Sequence, residues 1–256
     1  MNPITVVKIG GSTLGQHDTT LDDLAALYRD GERLIVVHGG GATITEWLAK
    51  LGVESRFVRG LRATDAAALD VVVAVLAGLV NKQLVAELLS RGAPAIGITG
   101  ADDALVRARR YDPELGLVGE LTAIDAVALA ELADGGIVVL APIAIEAEGE
   151  ALRPQLLNVN ADTMAGAVAT ALEAQRLVFL TDVDGVLDAG GALIDELTPD
   201  AARELIASGA VAGGMTPKVE AACQAAAGGV AARIVDGREA GALARAVDDY
   251  GGTAIG

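Results

Sequence analysis

At 256 residues, with 52% hydrophobic side chains but only 2% aromatic ones, the chain is long enough for one large α/β domain or for two lobes sharing a sheet. A formal net charge of −16 argues against nucleic acid or an anionic membrane as partner, and no uncharged apolar run approaches the ~18 residues that a membrane span requires. A single cysteine, Cys223, leaves no internal disulfide to form, and with no basic, apolar leader ahead of the first strand the chain reads as cytoplasmic.

The first predicted strand, 5–9, is a β-branched run that Lys8 interrupts and Gly10 and Gly11 close. Only four lysines (Lys8, Lys50, Lys82 and Lys218) stand against fifteen arginines, so a flexible point charge inside a run that reads as a buried parallel strand is a selective placement. A helix over 20–29 leads to a second strand, 34–37, which ends in His38-Gly39-Gly40-Gly41 and feeds a helix over 44–51. Consecutive glycines let the backbone turn sharply and bring bare N–H groups to an anion, and a helix start aims further N–H groups at the same place. A tight strand-to-helix turn explains one such loop, whereas two together point to an anion site. Neither loop matches the dinucleotide or P-loop pattern. His38 reads as a capping or core imidazole as readily as a functional one, and with only His17 beside it a histidine metal site has no support.

Gly60-Leu61-Arg62 precedes a long predicted helix, 66–90, that Thr64 or Asp65 can cap and that contains Asn81-Lys82. An arginine just before a helix can clamp a carboxylate with two parallel hydrogen bonds, or simply be solvated. Strands over 94–99 and 137–142, with a helix over 124–133 between them, continue the alternation, while 104–124 and 143–157 read as antiparallel hairpins forming flaps at the sheet edge. Asn158-Val159-Asn160-Ala161-Asp162 then puts two asparagines on one face of an extended segment, with Asp162 at the start of a helix running to 173. Capping accounts for Asp162 alone, and the asparagines add the prospect of ligand hydrogen bonds.

A strand over 177–180 leaves through the acidic turn Thr181-Asp182-Val183-Asp184-Gly185-Val186-Leu187, which can bind metal, cap a turn or receive ribose hydroxyls. Helices over 199–208 and 217–227, a strand over 233–235 and a helix over 239–247 complete the chain. Gly213 and Gly214 lead into the second of these helices, whose first turn holds Lys218, where a cation is out of place unless an anionic ligand offsets it. The alternation predicts an α/β fold with a mostly parallel sheet between helices, and no linker marks the lobe boundary expected near 170–178.

Taken in order, Lys8-Ile9-Gly10-Gly11, His38-Gly39-Gly40-Gly41, Gly60-Leu61-Arg62, Val80-Asn81-Lys82, the Asn158 to Asp162 segment, Thr181-Asp182-Val183, Gly213-Gly214-Met215 with Lys218, and Val235-Asp236-Gly237-Arg238 resemble the amino acid kinase family. Within it they look most like the acetylglutamate kinase subfamily, over essentially the whole chain. The resemblance implies a three-layer αβα sandwich with a mostly parallel sheet shared by two lobes. Residues 1–174 would bind acetylglutamate and dimerise, and 175–256 would bind ATP. The implied reaction, in arginine biosynthesis, transfers a phosphoryl group from ATP, accompanied by Mg2+, to the side-chain carboxylate of N-acetyl-L-glutamate.

By the same resemblance Lys8 and Lys218 would reach the transferring phosphoryl from two sides, Gly11, Gly40 and Gly41 would supply N–H groups, and Asp162 would orient both ammonium groups. Arg62 and Asn158 match positions holding the α-carboxylate and acetamido group, with Asn160 beside them. Asp182, Val183, Asp184, Gly185, Val186 and Leu187, with Ala210, Val211 and Ala212, match nucleotide-binding stretches, and no all-protein metal cage is expected. A carboxylate nucleophile is already ionised at neutral pH, so the shortage of histidine is no obstacle, and positioning and charge neutralisation must do the catalysis. The Gly100 to Ala104 loop lacks the glycine that commonly follows its acid, and Leu152 to Leu157 is an unusual lead into Asn158. A start at the first strand, without the extra helix of arginine-responsive relatives, predicts an arginine-insensitive homodimer. The alternatives are a kinase of the same fold acting on carrier-bound aminoadipate or another amino acid, and a non-catalytic amino-acid sensor. The composition advertises no basic rim for an acidic carrier, and the presence of both lysines and Asp162 weighs against a sensor.

Overall fold

A computed structural model describes residues 3–10, 19–147 and 154–256. Gly11 and part of the second predicted hairpin therefore lie outside the described residues. In chain order the first half runs β1 (Ile4–Ile9), α1 (Thr20–Arg29), β2 (Arg33–His38), α2 (Gly41–Lys50), β3 (Arg56–Val58), β4 (Leu61–Ala63), α3 (Ala66–Val73), a π-helical segment (Ala74–Val80), α4 (Asn81–Ser90) and β5 (Ala95–Thr99). There follow β6 (Val106–Arg110), β7 (Gly119–Ile124), α5 (Ala126–Gly135), β8 (Ile137–Ala141), β9 (Ile143–Glu146), β10 (Leu156–Asn158) and α6 (Ala161–Ala171). The remainder is β11 (Arg176–Thr181), β12 (Glu196–Leu197), α7 (Pro199–Ala207), α8 (Met215–Ala227), β13 (Ala231–Asp236), α9 (Ala242–Val247) and β14 (Thr253–Ile255).

The main sheet has eight strands in the order β12-β14-β13-β11-β1-β2-β8-β5, parallel except where β13 meets β14. Its central strands are continuous apolar runs because helices cover both faces. Alternate side chains sort into two cores: Val6, Ile35, Val37 and Phe179 pack under α6 and α8, while Val7, Ile9, Val36 and Val178 pack under α1, α2, α4 and α9. This is the expected three-layer α/β sandwich, and the sheet runs unbroken from β1 to β11, strands that lie on either side of the boundary expected near 170–178. The order of strand addition switches sides at β1, which lies between β2 and β11, so the carboxyl ends of β1 and β2 open onto the crevice where α/β sheets bind ligands.

Three local expectations are corrected. The 66–90 helix is interrupted by the π-helical turns of Ala74–Val80. By length and composition this stretch also meets the measure of a membrane span, but half of its apolar window is buried, as in a core helix. The two predicted flaps merge into one separate sheet of order β10-β9-β6-β7, in which β6 and β9 pair in parallel. The short β3–β4 hairpin was not expected, and it carries Arg62. In the variant loop after β5, Asp103 and Ala104 adopt φ of 48° and 54°, the left-handed region that a glycine would enter without strain.

Candidate active site

At the carboxyl ends of β1 and β2 lies a cavity of about 260 Å³ whose walls include Lys8, Gly40, Gly41, Arg62, Asn158, Asn160 and Asp162. Seven residues scattered over the sequence as candidates thus meet in one place. A larger hollow of about 490 Å³ beside Arg176, Arg233 and Ile255 contains none of them.

The electrostatic centre is Asp162. Lys8, in register with Val37 and Phe179, projects from the buried end of β1 and places Nζ 2.8 Å from Asp162 Oδ1. Lys218 reaches the other oxygen, Oδ2, at 3.3 Å, and also donates to the Gly214 carbonyl at 3.1 Å. The Lys8–Asp162 contact is a buried ion pair. Burial pushes the Lys8 pKa down, Asp162 opposes that shift, and the like charge of Lys218 adds to it. Two ammonium groups share one carboxylate, so the cluster carries net positive charge. Asp162 does not cap its helix as the sequence had allowed. The N-cap of α6 is Asn160, whose Oδ1 accepts from the Asp162 and Thr163 N–H groups at 2.9 and 3.0 Å. Gly166 on α6 lies so close to Ala221 on α8 that a Cβ there would sit 2.9 Å from both the Ala221 Cβ and its carbonyl oxygen, and this approach sets the reach of Lys218.

The glycine loop forms the second wall. Gly39 N–H donates to the Ile9 carbonyl at 2.9 Å, tying the loop to the end of β1, and the Gly40 carbonyl accepts from Ile44. Helix α2 begins at Gly41, three residues earlier than expected, so its first N–H groups belong to the loop. The Gly40 and Gly41 N–H groups have no acceptor among the described residues. A Cβ on Gly40 would lie 2.7 Å from Leu76 Cδ2, whereas beside Gly41 there is open space.

Arg62 forms the third wall. Its guanidinium donates to Ser55 Oγ, to Thr45 Oγ1 at 2.8 Å and to the Gly41 carbonyl at 3.0 Å, and it lies 4.7 Å from the centre of the Phe57 ring. Its partners are neutral oxygens, with no carboxylate among the described residues, and burial pushes its pKa down. An anionic ligand would supply the missing counter-charge. Asn158 Nδ2 donates to Thr64 Oγ1 at 3.1 Å, while Asp65 caps α3 by accepting from Ala68 N–H at 2.8 Å. The supporting roles of Thr45, Ser55, Phe57 and Thr64 were not read from the sequence. Only Thr45, one helical turn beyond Gly41, had a legible spacing.

The remaining predicted residues lie outside this cavity. Asp182, Val183 and Asp184 are exposed beyond the end of β11, close enough that the Asp182 charge favours the charged form of Lys8. Gly185 and Val186 are buried, with Val186 N–H donating to Thr253 Oγ1 at 2.8 Å, and Leu187 pairs with Leu193 in a small turn. Ala210 and Ala212 are exposed and Val211 is buried, in the loop that leads into α8 and Lys218. Among the described residues no group of three or more His, Cys, Asp or Glu side chains is arranged to hold a metal ion.

The chain resembles known proteins over most of its length. The model of the amino acid kinase family matches residues 3–236. The chain is 43% identical over 249 residues to the acetylglutamate kinase of Dehalococcoides mccartyi, covering 95% of this chain and 90% of that protein. It is 44% identical to the acetylglutamate kinase of Cereibacter sphaeroides, covering 92% and 80%. Among solved structures, smu.665 from Streptococcus mutans UA159 superposes with a TM-score of 0.84 at 32% identity, over 100% of this chain and 99% of that one.

Proposed function

Because the chain belongs to the amino acid kinase family, we propose, from its site and its acetylglutamate kinase relatives, how it phosphorylates the side-chain carboxylate of N-acetyl-L-glutamate with ATP, a step of arginine biosynthesis. One observation carries the assignment of residues: Lys8 and Lys218 converge on Asp162 beside amides that lack acceptors. That combination suits a transferring phosphoryl group, whose charge is spread over its equatorial oxygens.

A carboxylate oxygen of the substrate attacks the γ-phosphorus, the bond from that phosphorus to the bridging oxygen breaks, and ADP leaves with the electron pair. No proton need be removed, so the chain's task is to orient and to neutralise. Lys8 and Lys218 balance charge on the phosphoryl oxygens, Gly40 and Gly41 donate N–H groups, and Asp162 keeps the two ammonium groups apart and aimed. Gly11 is assigned a third N–H by resemblance alone. Arg62 and Asn158, with Asn160 alongside, hold the α-carboxylate and acetamido groups. Asp182 to Leu187 and Ala210 to Ala212 border the nucleotide. The net positive cluster and bare amides fit a polyphosphate, and Mg2+ entering with ATP would neutralise further phosphate charge without a protein cage.

Residues 1–174 would serve as the acceptor and dimerisation lobe and 175–256 as the nucleotide lobe of a cytoplasmic enzyme. A homodimer is supported by the outer edge of the main sheet, where β5 presents Ile96 and the adjoining α4 presents Leu89, both exposed. ADP release measured with N-acetyl-L-glutamate, glutamate and aspartate side by side tests the acceptor. Turnover of glutamate but not of its acetylated form would sink the assignment.

A further inference from the structure

The steps above leave a buried polar pair unused, His38 and Asn81, both fully enclosed. Asn81 has one orientation that suits its surroundings. Nδ2 lies 2.9 Å from the Val139 carbonyl and 3.4 Å from the Ile98 carbonyl, while Oδ1 receives Lys82 Nζ at 3.0 Å. Nδ2 also faces His38 Nε2 at 3.2 Å, and since an amide NH2 only donates, Nε2 must be the acceptor. The proton therefore sits on Nδ1, which donates to the Gly39 carbonyl at 3.0 Å. Burial, reinforced by the charge of Lys82, pushes the His38 pKa down to about 4 and keeps the ring neutral at physiological pH.

The consequence falls on the next peptide unit. In a planar trans peptide the C=O and the following N–H point in opposite directions, and the described chain has no cis bonds. A ring that holds the Gly39 oxygen turns the Gly40 N–H away from itself, and Gly40 lines the cavity with that N–H lacking an acceptor among the described residues. The surrounding packing guards this arrangement. Gly97 has no Cβ to strike Asn81 Oδ1 or to lie 2.8 Å from Lys82 Nζ, and Leu76 of the π-helical segment closes over Gly40.

We propose that His38, locked by Asn81 as the Nδ1–H tautomer, is a positioning residue that aims the Gly40 N–H at the transferring phosphoryl group. The role rests on the kinase reading, but the state of the ring can be measured without turnover. Nitrogen-15 NMR of the full chain between pH 6 and 8, with His38 identified by the loss of its signals on substitution, should show Nδ1 protonated and Nε2 not. An Nε2–H tautomer, or titration near 6.5, would overturn the proposal.

Two substitutions separate the bonds. His38→Asn places an amide nitrogen where Nδ1 stood and keeps the contact to Gly39, whereas His38→Gln keeps only an acceptor for Asn81. The Gln variant should lose about tenfold to a hundredfold in kcat, with the acceptor KM within about threefold, while the Asn variant stays within about fivefold in kcat. Equal losses in the two variants, or wild-type kcat in the Gln variant, would reduce the pair to a structural one. Should the Gln variant fail to fold, Gly97→Ala displaces Asn81 from outside the cavity and must lower kcat while acceptor KM holds, and unchanged kcat would count against the proposal. If wild-type enzyme does not turn over N-acetyl-L-glutamate, the substrate assignment has failed, and the tautomer measurement still decides the state of His38.

Discussion

Lys8 is the fifth residue of a strand whose six residues are all buried, and the cost of placing an ammonium group there is offset chiefly by Asp162. Replacing Lys8 with Ala leaves Asp162 paired with Lys218, so the fold should survive. The transition state loses one charge-assisted contact of about 1.5–3 kcal/mol, and kcat should fall roughly tenfold to a few hundredfold in a coupled ADP assay. Unchanged turnover would remove Lys8 from the reaction. Arg62 makes a different demand, because its planar fork satisfies Ser55, Thr45 and the Gly41 carbonyl while leaving positive charge for a ligand. Arg62→Lys keeps the charge but loses the fork, so the KM for N-acetyl-L-glutamate should rise with a smaller change in kcat. Steady-state titration of the acceptor checks this, and an unaltered KM would place the α-carboxylate elsewhere.

At the scale of elements, helix α6 delivers Asp162 and helix α8 delivers Lys218, so the spacing between these helices tunes the site. Gly166 and Ala221 make that spacing small, and the atoms a Cβ would strike include the Ala221 backbone, which cannot swing aside. Gly166→Ala should destabilise the protein by about 1–3 kcal/mol in urea unfolding and lower kcat by lengthening the Lys218–Asp162 contact. Wild-type stability together with wild-type kcat would show that the helices part without consequence. The long helix over 66–90 teaches a related lesson. Its apolar periodicity made a helix legible, but the π-helical turns at Ala74–Val80 arise where Leu76 and Val80 must meet Gly40 and where Asn81 must reach under His38, contacts made by residues distant in sequence.

Over the whole molecule, His38 couples the site to global stability. An unfolded histidine takes up its proton near 6.5, whereas the buried ring resists protonation down to about 4. The unfolded state therefore binds more protons as pH falls between these values. The stabilisation is fully present above about 6.5 and is lost as pH drops towards 4, by about 2 kcal/mol between pH 7 and 5. Urea unfolding at both pH values should show this loss in wild-type protein and a smaller one in His38→Gln, which has no titrating ring. Equal pH dependence in the two proteins would mean that His38 titrates alike in the native and unfolded states.

The strand–helix alternation, the continuous apolar strands and the two glycine loops determined the α/β class, and the lysines at positions 8 and 218 were out of place enough to be noticed without a structure. Such features are local: they follow from periodicity, backbone freedom and the price of a misplaced charge. Convergence is not local. That Lys8 and Lys218 meet on the two oxygens of Asp162, that Arg62 rides on an unforeseen hairpin against Phe57, and that His38 is locked by Asn81 depend on which strands lie side by side and how closely α6 approaches α8. Single-chain periodicity carries no information about those distances, and the packed sheet supplies it by bringing the ends of β1 and β2 and the starts of α2 and α6 to one cavity.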